Sequence, residues 1–315
     1  LSSADALAGG AGNNNTLTFH DTDVAAETNT YAASQFSGVT GFNTWYFTDD
    51  AAADTFDITL DNTAAANNAH STTSVLTLDM NNGAGTDNGD DTLKLDASTV
   101  GAAVKFDVTG GVTADTIKLG AGNDTVNGGA GTDTITLGGG ENVVKISDET
   151  DGAVASGIQH AIDTINGFNF GNAAGKSDAN IDKINFTTLF ANLDLDDGVA
   201  ATGAAAWDAA FDTVQVVNAA GATAADTDVL VLAHQGFTDA DAVDTYLELQ
   251  NTGNISGDLI VIYQDTLGNV RVAFADGSNA AADGTDYVTV DLLSLTGITI
   301  AGVKTNIDVG DFIVA

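Results

Sequence analysis

Short runs of alternating apolar and polar residues recur along the first half of the chain. Each run contains an apolar residue, Thr or Lys, a second apolar residue, and then Asp or Gly. Alternation over so few residues predicts short β-strands with every second side chain turned inward. The intervals are rich in Gly, Asn, Asp, Ala, Ser and Thr, which favour turns. The six runs begin at Ile58, Leu76, Leu93, Val104, Ile117 and Ile135.

The spacing of these runs favours one arrangement of the strands. Three of the five intervals are 17 or 18 residues long, and the two between residues 96 and 120 are shorter. Short strands with polar turns occur in sandwiches, meanders and solenoids. An interval near 18 residues favours a solenoid, in which equivalent strands stack into a parallel sheet and neighbouring coils bury each other's apolar face.

From residue 110 the period shortens to nine residues, and four units follow one another. The second residue of each unit is Gly and the eighth is apolar. Glycine admits positive φ and lets a carbonyl oxygen turn toward a ligand. Carboxylates beside such carbonyls would form a row of hard oxygen donors on each edge of the solenoid, which suits Ca²⁺. The sixth residues are Asp115, Asp124, Asp133 and Asn142.

Electrostatics also favour a bound cation. Carboxylates on stacked coils would lie roughly 5 Å apart, and each bare pair costs about 3 kcal/mol at an effective dielectric constant of about 20. We therefore expect Ca²⁺ binding and folding to be coupled. Zinc is not expected, because it prefers His or Cys and the repeats contain neither.

Residues 128–136 read GGAGTDTIT and match in full the nonapeptide G-G-x-G-x-D-x-U-x, where U is apolar. The segment therefore resembles the calcium-binding repeats of RTX (repeats-in-toxin) proteins. The resemblance implies a parallel β-roll with several Ca²⁺ ions, in which two units complete one coil and each ion lies between a turn and the equivalent turn two units on. It would pair Asp115 with Asp133 and Asp124 with Asn142. It assigns carbonyl ligands to Gly120, Gly122, Gly129, Gly131, Gly138 and Gly140.

Some positions depart from the RTX pattern. Leu119 and Leu137 replace a first glycine, Thr113 replaces a fourth glycine, and Asn142 replaces an aspartate. We therefore expect the outer sites to be weaker.

Two later segments, DTINGF at 163–168 and DKINF at 182–186, resemble the part of RTX proteins that closes the roll. This resemblance implies that Asp163 and Asp182 are further Ca²⁺ ligands. The alternative is that both are ordinary carboxylates at the edges of strands.

The pattern changes after residue 186. Residues 204–217 and 238–251 have helix-like sequences, and a hairpin is predicted through 265–269. The predicted fold is all-β. A parallel β-solenoid covers residues 1–186 and ends in an RTX β-roll at about 110–186. A β-rich C-terminal domain with one or two short helices covers 187–315.

The charge of the chain restricts its partners. It has 44 acidic and 8 basic residues, which gives a formal net charge of −36. Nucleic acids and anionic membrane surfaces attract proteins through Lys and Arg, so neither is expected as a partner. No apolar run approaches the ~18 residues of a membrane span, so membrane insertion is not expected.

The sequence contains no evident catalytic motif. Its four histidines are scattered, and H-E-x-x-H, G-x-S-x-G and a P-loop are all absent. We therefore expect that the protein is not an enzyme.

The last residues, NIDVGDFIVA at 306–315, resemble the C-terminal signal of type I secretion substrates, although a plain final strand fits the pattern equally well. Export of an unfolded chain also fits the absence of Cys and Pro. Because the chain starts at Leu1, we expect it to be a fragment of a larger protein.

The composition is rich in Ala, Thr, Asn, Gly and Asp and poor in Lys, and is similar to that of RTX-type bacterial surface-layer (S-layer) proteins. The resemblance implies a structural, extracellular protein of the bacterial cell surface, whose Ca²⁺ drives folding after type I secretion. Its partners would be the secretion machinery, other copies in a surface lattice, and a cell-surface glycan or lipopolysaccharide. Two alternatives stay open: the C-terminal secretion and folding module of a large RTX adhesin, or that of an exported hydrolase.

Overall fold

The computed structural model describes residues 6–10, 12, 14–20, 26–48, 53–80, 91–146, 162–171, 181–188, 214–217, 228–250, 259–276 and 288–313. The chain divides into two compact units, Leu1–Lys145 and Ile146–Ala315.

The described part of the first unit consists mainly of short strands. In chain order they are β1 (Leu7–Ala8), β2 (Thr16–His20), β3 (Thr28–Tyr31), β4 (Val39–Thr40), β5 (Thr44–Thr48), β6 (Thr55–Thr59), β7 (Val75–Asp79), β8 (Thr92–Asp96), β9 (Lys105–Thr109), β10 (Thr116–Lys118), β11 (Thr125–Asn127), β12 (Thr134–Thr136) and β13 (Val143–Lys145). A 3₁₀ turn at Ala33–Phe36 and an α-helix, α1 (Asn62–Asn68), lie between strands.

Most of these strands stack into two parallel sheets, which form the coils of a solenoid. The first sheet has the order β2-β5-β7-β9-β11-β13, and the second has the order β3-β6-β8-β10-β12. β1 pairs with β4 outside both sheets. From β5 onward, successive strands alternate between the sheets, so each coil contains one strand of each sheet. The predicted parallel solenoid is therefore confirmed.

The coils shorten along the unit. Asp54 and Asp91 occupy equivalent places on neighbouring coils and are 37 residues apart, whereas Asp115 and Asp133 are 18 apart. The predicted coil length of 18 residues is therefore right for the nonapeptide units. It is wrong upstream, where successive runs lie in opposite sheets and 18 residues make about half of a coil. The longer coils accommodate insertions such as α1, which the strand pattern did not predict.

Helix α1 begins where the first predicted run ends. β6 stops at Thr59, and Asp61 instead caps the helix, because its carboxylate accepts a 2.8 Å hydrogen bond from the Ala64 N–H. Near the other end of the helix, Asn68 is buried and donates to the carbonyl of Val39 at 3.0 Å. The helix is thus held to the solenoid by a polar contact as well as by its buried alanines.

The inward side chains change in size along the first unit. The upstream coils enclose an aromatic cluster, in which the ring centroids of Phe19 and Phe47 are 4.9 Å apart and those of Phe36 and Trp45 are 4.8 Å apart. In the nonapeptide coils the inward residues are aliphatic, namely Ile117, Val126, Ile135 and Val144. The upstream coils therefore bury far more apolar surface per coil.

In the second unit, the described residues form a mixed sheet and two helices. The strands are β14 (Asp163–Asn166), β15 (Lys183–Asn185), β16 (Val214–Val217), β17 (Val229–Phe237), β18 (Leu259–Asp265), β19 (Val270–Asp276), β20 (Val288–Thr296) and β21 (Phe312–Ile313). The helices are α2 (Ala240–Gln250) and α3 (Ile300–Asn306), and a 3₁₀ turn lies at Val309–Asp311.

The mixed sheet has the order β16-β17-β18-β19-β20-β14. β16, β17 and β18 are parallel, β18 to β20 are antiparallel, and β14 is parallel to β20. One face packs with α2 in a hydrophobic core that includes Leu232, Val243, Leu247 and Tyr263. β15 pairs separately with β21 in parallel.

The predicted hairpin through residues 265–269 joins β18 and β19. Its turn is held by Asp265, which accepts hydrogen bonds from the N–H groups of Leu267 at 2.9 Å and Asn269 at 2.8 Å. Arg271, the only arginine of the chain, lies 2.9 Å from the same carboxylate. Burial alone would raise the pKa of Asp265, but hydrogen bonds from Asn269 and Arg271 lower it below its usual value.

The all-β fold class, the helix at 238–251 and the hairpin are confirmed, whereas one prediction needs correction. Residues 214–217 form a strand and not a helix, because the β-branched sequence VQVV pairs with β17; residues 204–213 lie outside the described residues. The two compact units divide after Lys145, and β14 and β15 pair with strands near the C-terminus. The predicted domain boundary at residue 186 stays a prediction.

Truncation of the aromatic cluster should destabilise the first unit. Phe47 is fully buried, so Phe47→Ala should lower the free energy of unfolding in Ca²⁺ by about 3–5 kcal/mol. Val112→Ala is a matched control, because this side chain is 45% exposed and its loss should have little effect. Urea unfolding followed by circular dichroism measures both; equal midpoints would contradict the prediction.

Candidate metal centre

The residues that precede the strands line the two edges of the solenoid. Asp54, Asp91, Asp115 and Asp133 stand immediately before β6, β8, β10 and β12, and with Glu27 before β3 they form the Asp54 edge. Asn15, Asn43, Asp124 and Asn142 stand immediately before β2, β5, β11 and β13, and they form the Asn15 edge. All four aspartates of the Asp54 edge and Asp124 are at most 1% exposed.

On both edges a side-chain oxygen of one coil accepts a backbone N–H from the preceding coil. The Asp115 N–H donates to Asp133 Oδ1 at 2.7 Å, and the Asp124 N–H donates to Asn142 Oδ1 at 3.0 Å. The predicted two-unit register is thus confirmed. Asp124 and Asp133 lie on opposite edges, because β11 and β12 belong to different sheets.

The same ladder continues upstream, where no metal motif was predicted. The Asp54 N–H donates to Asp91 Oδ1 at 2.9 Å, and the Glu27 N–H donates to Asp54 Oδ1 at 2.8 Å. On the Asn15 edge, the Asn15 N–H donates to Asn43 Oδ1 at 3.1 Å. An Asp-Thr pair followed by an alternating run marks Asp54 and Asp91 just as it marks the three repeat aspartates. That signal could have identified them.

The six predicted glycines stand in the turns between strands, and four of them adopt positive φ. Gly138 has φ of 76°, and a Cβ there would also overlap the carbonyl oxygen of Gly120 on the preceding coil. Gly129, Gly131 and Gly140 share the positive φ, whereas Gly120 and Gly122 do not. At Gly120 the constraint is close stacking, because a Cβ would lie 2.6 Å from the carbonyl oxygen of Val100.

The departures at Leu119 and Leu137 have a structural reason. Both follow strands of the second sheet as an additional inward residue and are almost completely buried. Their counterparts, Gly110 and Gly128, follow strands of the first sheet, and a Cβ at either would overlap the carboxylate of Asp115 or Asp133. The two half-coils therefore require different residues at the first position.

Two repeat carboxylates are held in an environment that disfavours their charge. Burial raises the pKa of Asp115 to about 7, against the N–H groups of Leu93 and Gly111, which favour the charged form. Burial likewise raises the pKa of Asp124 to about 6, against the N–H groups of Phe106 and Gly120. Among the described residues, basic side chains contribute to neither shift.

The oxygen atoms on these edges are suitable ligands for a hard divalent cation. Asp124 Oδ2 is buried and meets no donor at hydrogen-bonding geometry in the part of the chain that the structure describes. The carbonyl oxygens of Gly111, Gly120 and Gly122 face the glycines of the next coil. Within the described ranges, no three acidic or His side chains come together. When bound, Ca²⁺ would supply the positive charge that the buried carboxylates lack, with carboxylate and carbonyl oxygens as ligands.

Asp163 and Asp182 belong to the second unit. Asp163 is the first residue of β14 and pairs with Leu293, and Asp182 Oδ2 accepts the Asn169 N–H at 2.9 Å. Both carboxylates are buried. Their role as Ca²⁺ ligands stays a prediction, as do the individual ligand assignments in the repeats.

The fold and its edges define a calcium-binding parallel β-solenoid with glycine-rich turns. Residues 109–144 match the family model of the RTX calcium-binding nonapeptide repeat, in four copies. This segment therefore belongs to the RTX repeats, and the resemblance of the nonapeptide units to these repeats and the choice of Ca²⁺ are confirmed. No curated protein is significantly similar to the chain. None of the described helices is long and apolar enough to cross a membrane.

Adjacent glycines in one turn should respond differently to substitution. Gly138→Ala forces a side chain into positive φ and into the Gly120 carbonyl, so it should cost at least roughly 1–3 kcal/mol of stability in Ca²⁺. Gly139→Ala is the matched control, because its Cβ would make ordinary contacts with Ala121 from 3.5 Å. Urea unfolding measures both variants, and equal destabilisation would contradict the stacked-turn geometry.

The pH dependence of the repeats should reverse in sign when Ca²⁺ is added. In EDTA, the raised pKa values of Asp115 and Asp124 mean that the folded repeats bind more protons than the unfolded chain, so stability should fall as pH rises from about 4 to about 7. Ca²⁺ affinity should instead increase over this range, because the ion competes with those protons.

The fraction of β structure in EDTA, followed by circular dichroism, and calcium titrations, both between pH 4 and pH 8, measure these two slopes. The double variant Asp115→Asn/Asp124→Asn is the control, because it removes both titrating groups and should flatten the slope in EDTA. A stability in EDTA that rises with pH in the unmodified protein, but not in the double variant, would show that Asp115 and Asp124 do not destabilise the calcium-free fold as pH rises.

Proposed function

We propose that the chain is a structural part of a bacterial cell-surface protein that is exported unfolded by type I secretion and folds outside the cell as Ca²⁺ binds the solenoid edges. The protein assembles into a surface layer. Its partners are the secretion machinery, other copies of itself, and a cell-surface glycan or lipopolysaccharide. The role is structural and not catalytic.

The burial of the repeat carboxylates carries this proposal. Asp115 and Asp124 are compensated by backbone N–H groups and, among the described residues, by no basic side chain. Where Ca²⁺ is scarce, these charges oppose folding and the chain remains suitable for export. Extracellular modules need a Kd of only about 10⁻⁴–10⁻³ M, because Ca²⁺ outside the cell is abundant. The acidic, lysine-poor composition supports the surface-layer role in particular.

Calcium-dependent folding can be tested by circular dichroism in EDTA, in Mg²⁺ and in millimolar Ca²⁺. We expect a gain of β signal with Ca²⁺ alone. Asp133→Ala should weaken the apparent affinity at least about tenfold, because it removes a buried carboxylate. Asp107→Ala is the matched control, because this carboxylate is half-exposed and pairs with Lys145 on the outside of the solenoid. A β spectrum that is unchanged by EDTA would refute the coupling.

Assembly can be tested separately by electron microscopy of the purified protein in Ca²⁺. A two-dimensional lattice is expected. Persistent monomers would refute the surface-layer role and favour a folding module of an adhesin or an exported hydrolase.

Export can be tested by deletion of residues 306–315 in cells that carry a type I secretion system. The deletion should retain the protein in the cell, whereas the full chain appears in the medium. Equal secretion of both would refute the proposed signal.

A further inference from the structure

The outer side of the second sheet has an unusual composition. Its twelve outward residues, on β3, β6, β8, β10 and β12, comprise eight threonines, two aspartates and two lysines, and we name this surface the threonine face. The residues are Thr28, Thr30, Thr55, Asp57, Thr59, Thr92, Lys94, Asp96, Thr116, Lys118, Thr134 and Thr136.

The threonine face has no net charge on a strongly acidic chain. The formal charge of the whole chain is −36, and residues 1–145 contain only four basic residues. All four are lysines on the outer sides of the two sheets, and two of them, Lys94 and Lys118, balance Asp57 and Asp96 on the threonine face. The scarce positive charge of this unit is therefore concentrated on its flat strand surfaces and not in its turns.

We propose that the threonine face is the surface on which a second copy of this chain docks, face to face. This inference rests on the proposed assembly into a surface layer and identifies the contact that such assembly would use. Two copies that meet through their turns bring excess carboxylates together, which costs free energy, whereas the threonine face adds no repulsion. The outer side of the first sheet is also neutral, but of these two surfaces only the threonine face has Lys and Asp directly opposite each other on neighbouring strands.

The charges of the threonine face are self-complementary. Lys118 and Asp96 are directly opposite each other on neighbouring strands, with Lys118 Nζ 3.5 Å from Asp96 Oδ2. A two-fold axis that lies in the plane of the face, parallel to the strands and between β8 and β10, brings Asp96 of each copy onto Lys118 of the other. Such symmetry is the usual form of contact between identical chains.

The neutral residues of the face suit a contact between copies, and its size predicts how strong the contact is. Threonine is short and β-branched, so it loses little rotamer freedom when it is covered.

Five strands of three to five residues give a face of about 24 Å by about 13 Å. This is less than the roughly 800 Å² per partner of a stable dimer. A single contact is therefore weak, and it becomes effective when many copies repeat it in a layer.

The test compares charge reversals in Ca²⁺. Lys118→Glu replaces a positive charge with a negative one on the threonine face of each copy. Lys304→Glu makes the same change of charge at an exposed position of α3. Sedimentation velocity over a concentration series gives the concentration at which half of the protein is associated. We expect Lys118→Glu to raise this concentration at least about tenfold and Lys304→Glu to change it less than about twofold. The exchange Asp96→Lys/Lys118→Asp should restore association, because it keeps the pair and the neutrality of the face.

Each outcome decides the proposal. Restoration by the exchange, together with an inert Lys304→Glu, supports it. Equal effects of Lys118→Glu and Lys304→Glu, or an exchange variant that folds by circular dichroism but does not associate, overturn it. If the unmodified protein forms a lattice that Lys118→Glu leaves intact, the docking surface is wrong while the proposed function stands. If the unmodified protein stays monomeric at every concentration, both are wrong.

Discussion

The structure of the first unit depends on one repeated interaction, in which a buried side-chain oxygen accepts a backbone N–H from the preceding coil. It links Asp133 to Asp115 and Asn142 to Asp124, and it continues upstream to Asp91 and Asp54. The contact sets the register between coils, because a slip would leave both groups buried and unsatisfied. It also brings negative charge into the interior, and this charge is the physical reason for our proposal that folding depends on Ca²⁺.

The solenoid balances this electrostatic cost in two ways. Upstream coils contain large aromatic side chains such as Phe47 and Trp45, which contribute hydrophobic free energy to offset buried charge. Nonapeptide coils are short, and each of their strands centres on a single buried aliphatic residue, such as Val126. Their glycines allow the turns to stack closely, and a cation has to supply the remaining stabilisation. Short coils and calcium binding are therefore linked by the same geometry.

The sequence predicts the parts of this arrangement that depend on local periodicity. The strands, the two-unit pairing and the opposite edges of Asp124 and Asp133 follow from the period of nine, because two units make one coil. The upstream coil length does not follow from the sequence, because successive runs such as those that begin at Leu76 and Leu93 look equivalent although they lie in opposite sheets. The sequence predicts a helix where Val214–Val217 form a strand, because only pairing with β17 distinguishes the two. The period of nine does not identify the upstream aspartates, because Asp54 has no neighbouring glycine and Asp91, although Gly89 precedes it, lies 24 residues before Asp115 and outside the nine-residue register.

The alternation of strands between two sheets also restricts how such a chain can change in length during evolution. Duplication of 18 residues would add one full coil, lengthen the solenoid by about 4.8 Å, and leave every later aspartate on its own edge. Duplication of nine residues would instead move each later strand of the solenoid to the opposite sheet and exchange the positions that need Leu119 with those that need Gly128. Repeats of this kind should therefore be gained and lost in pairs.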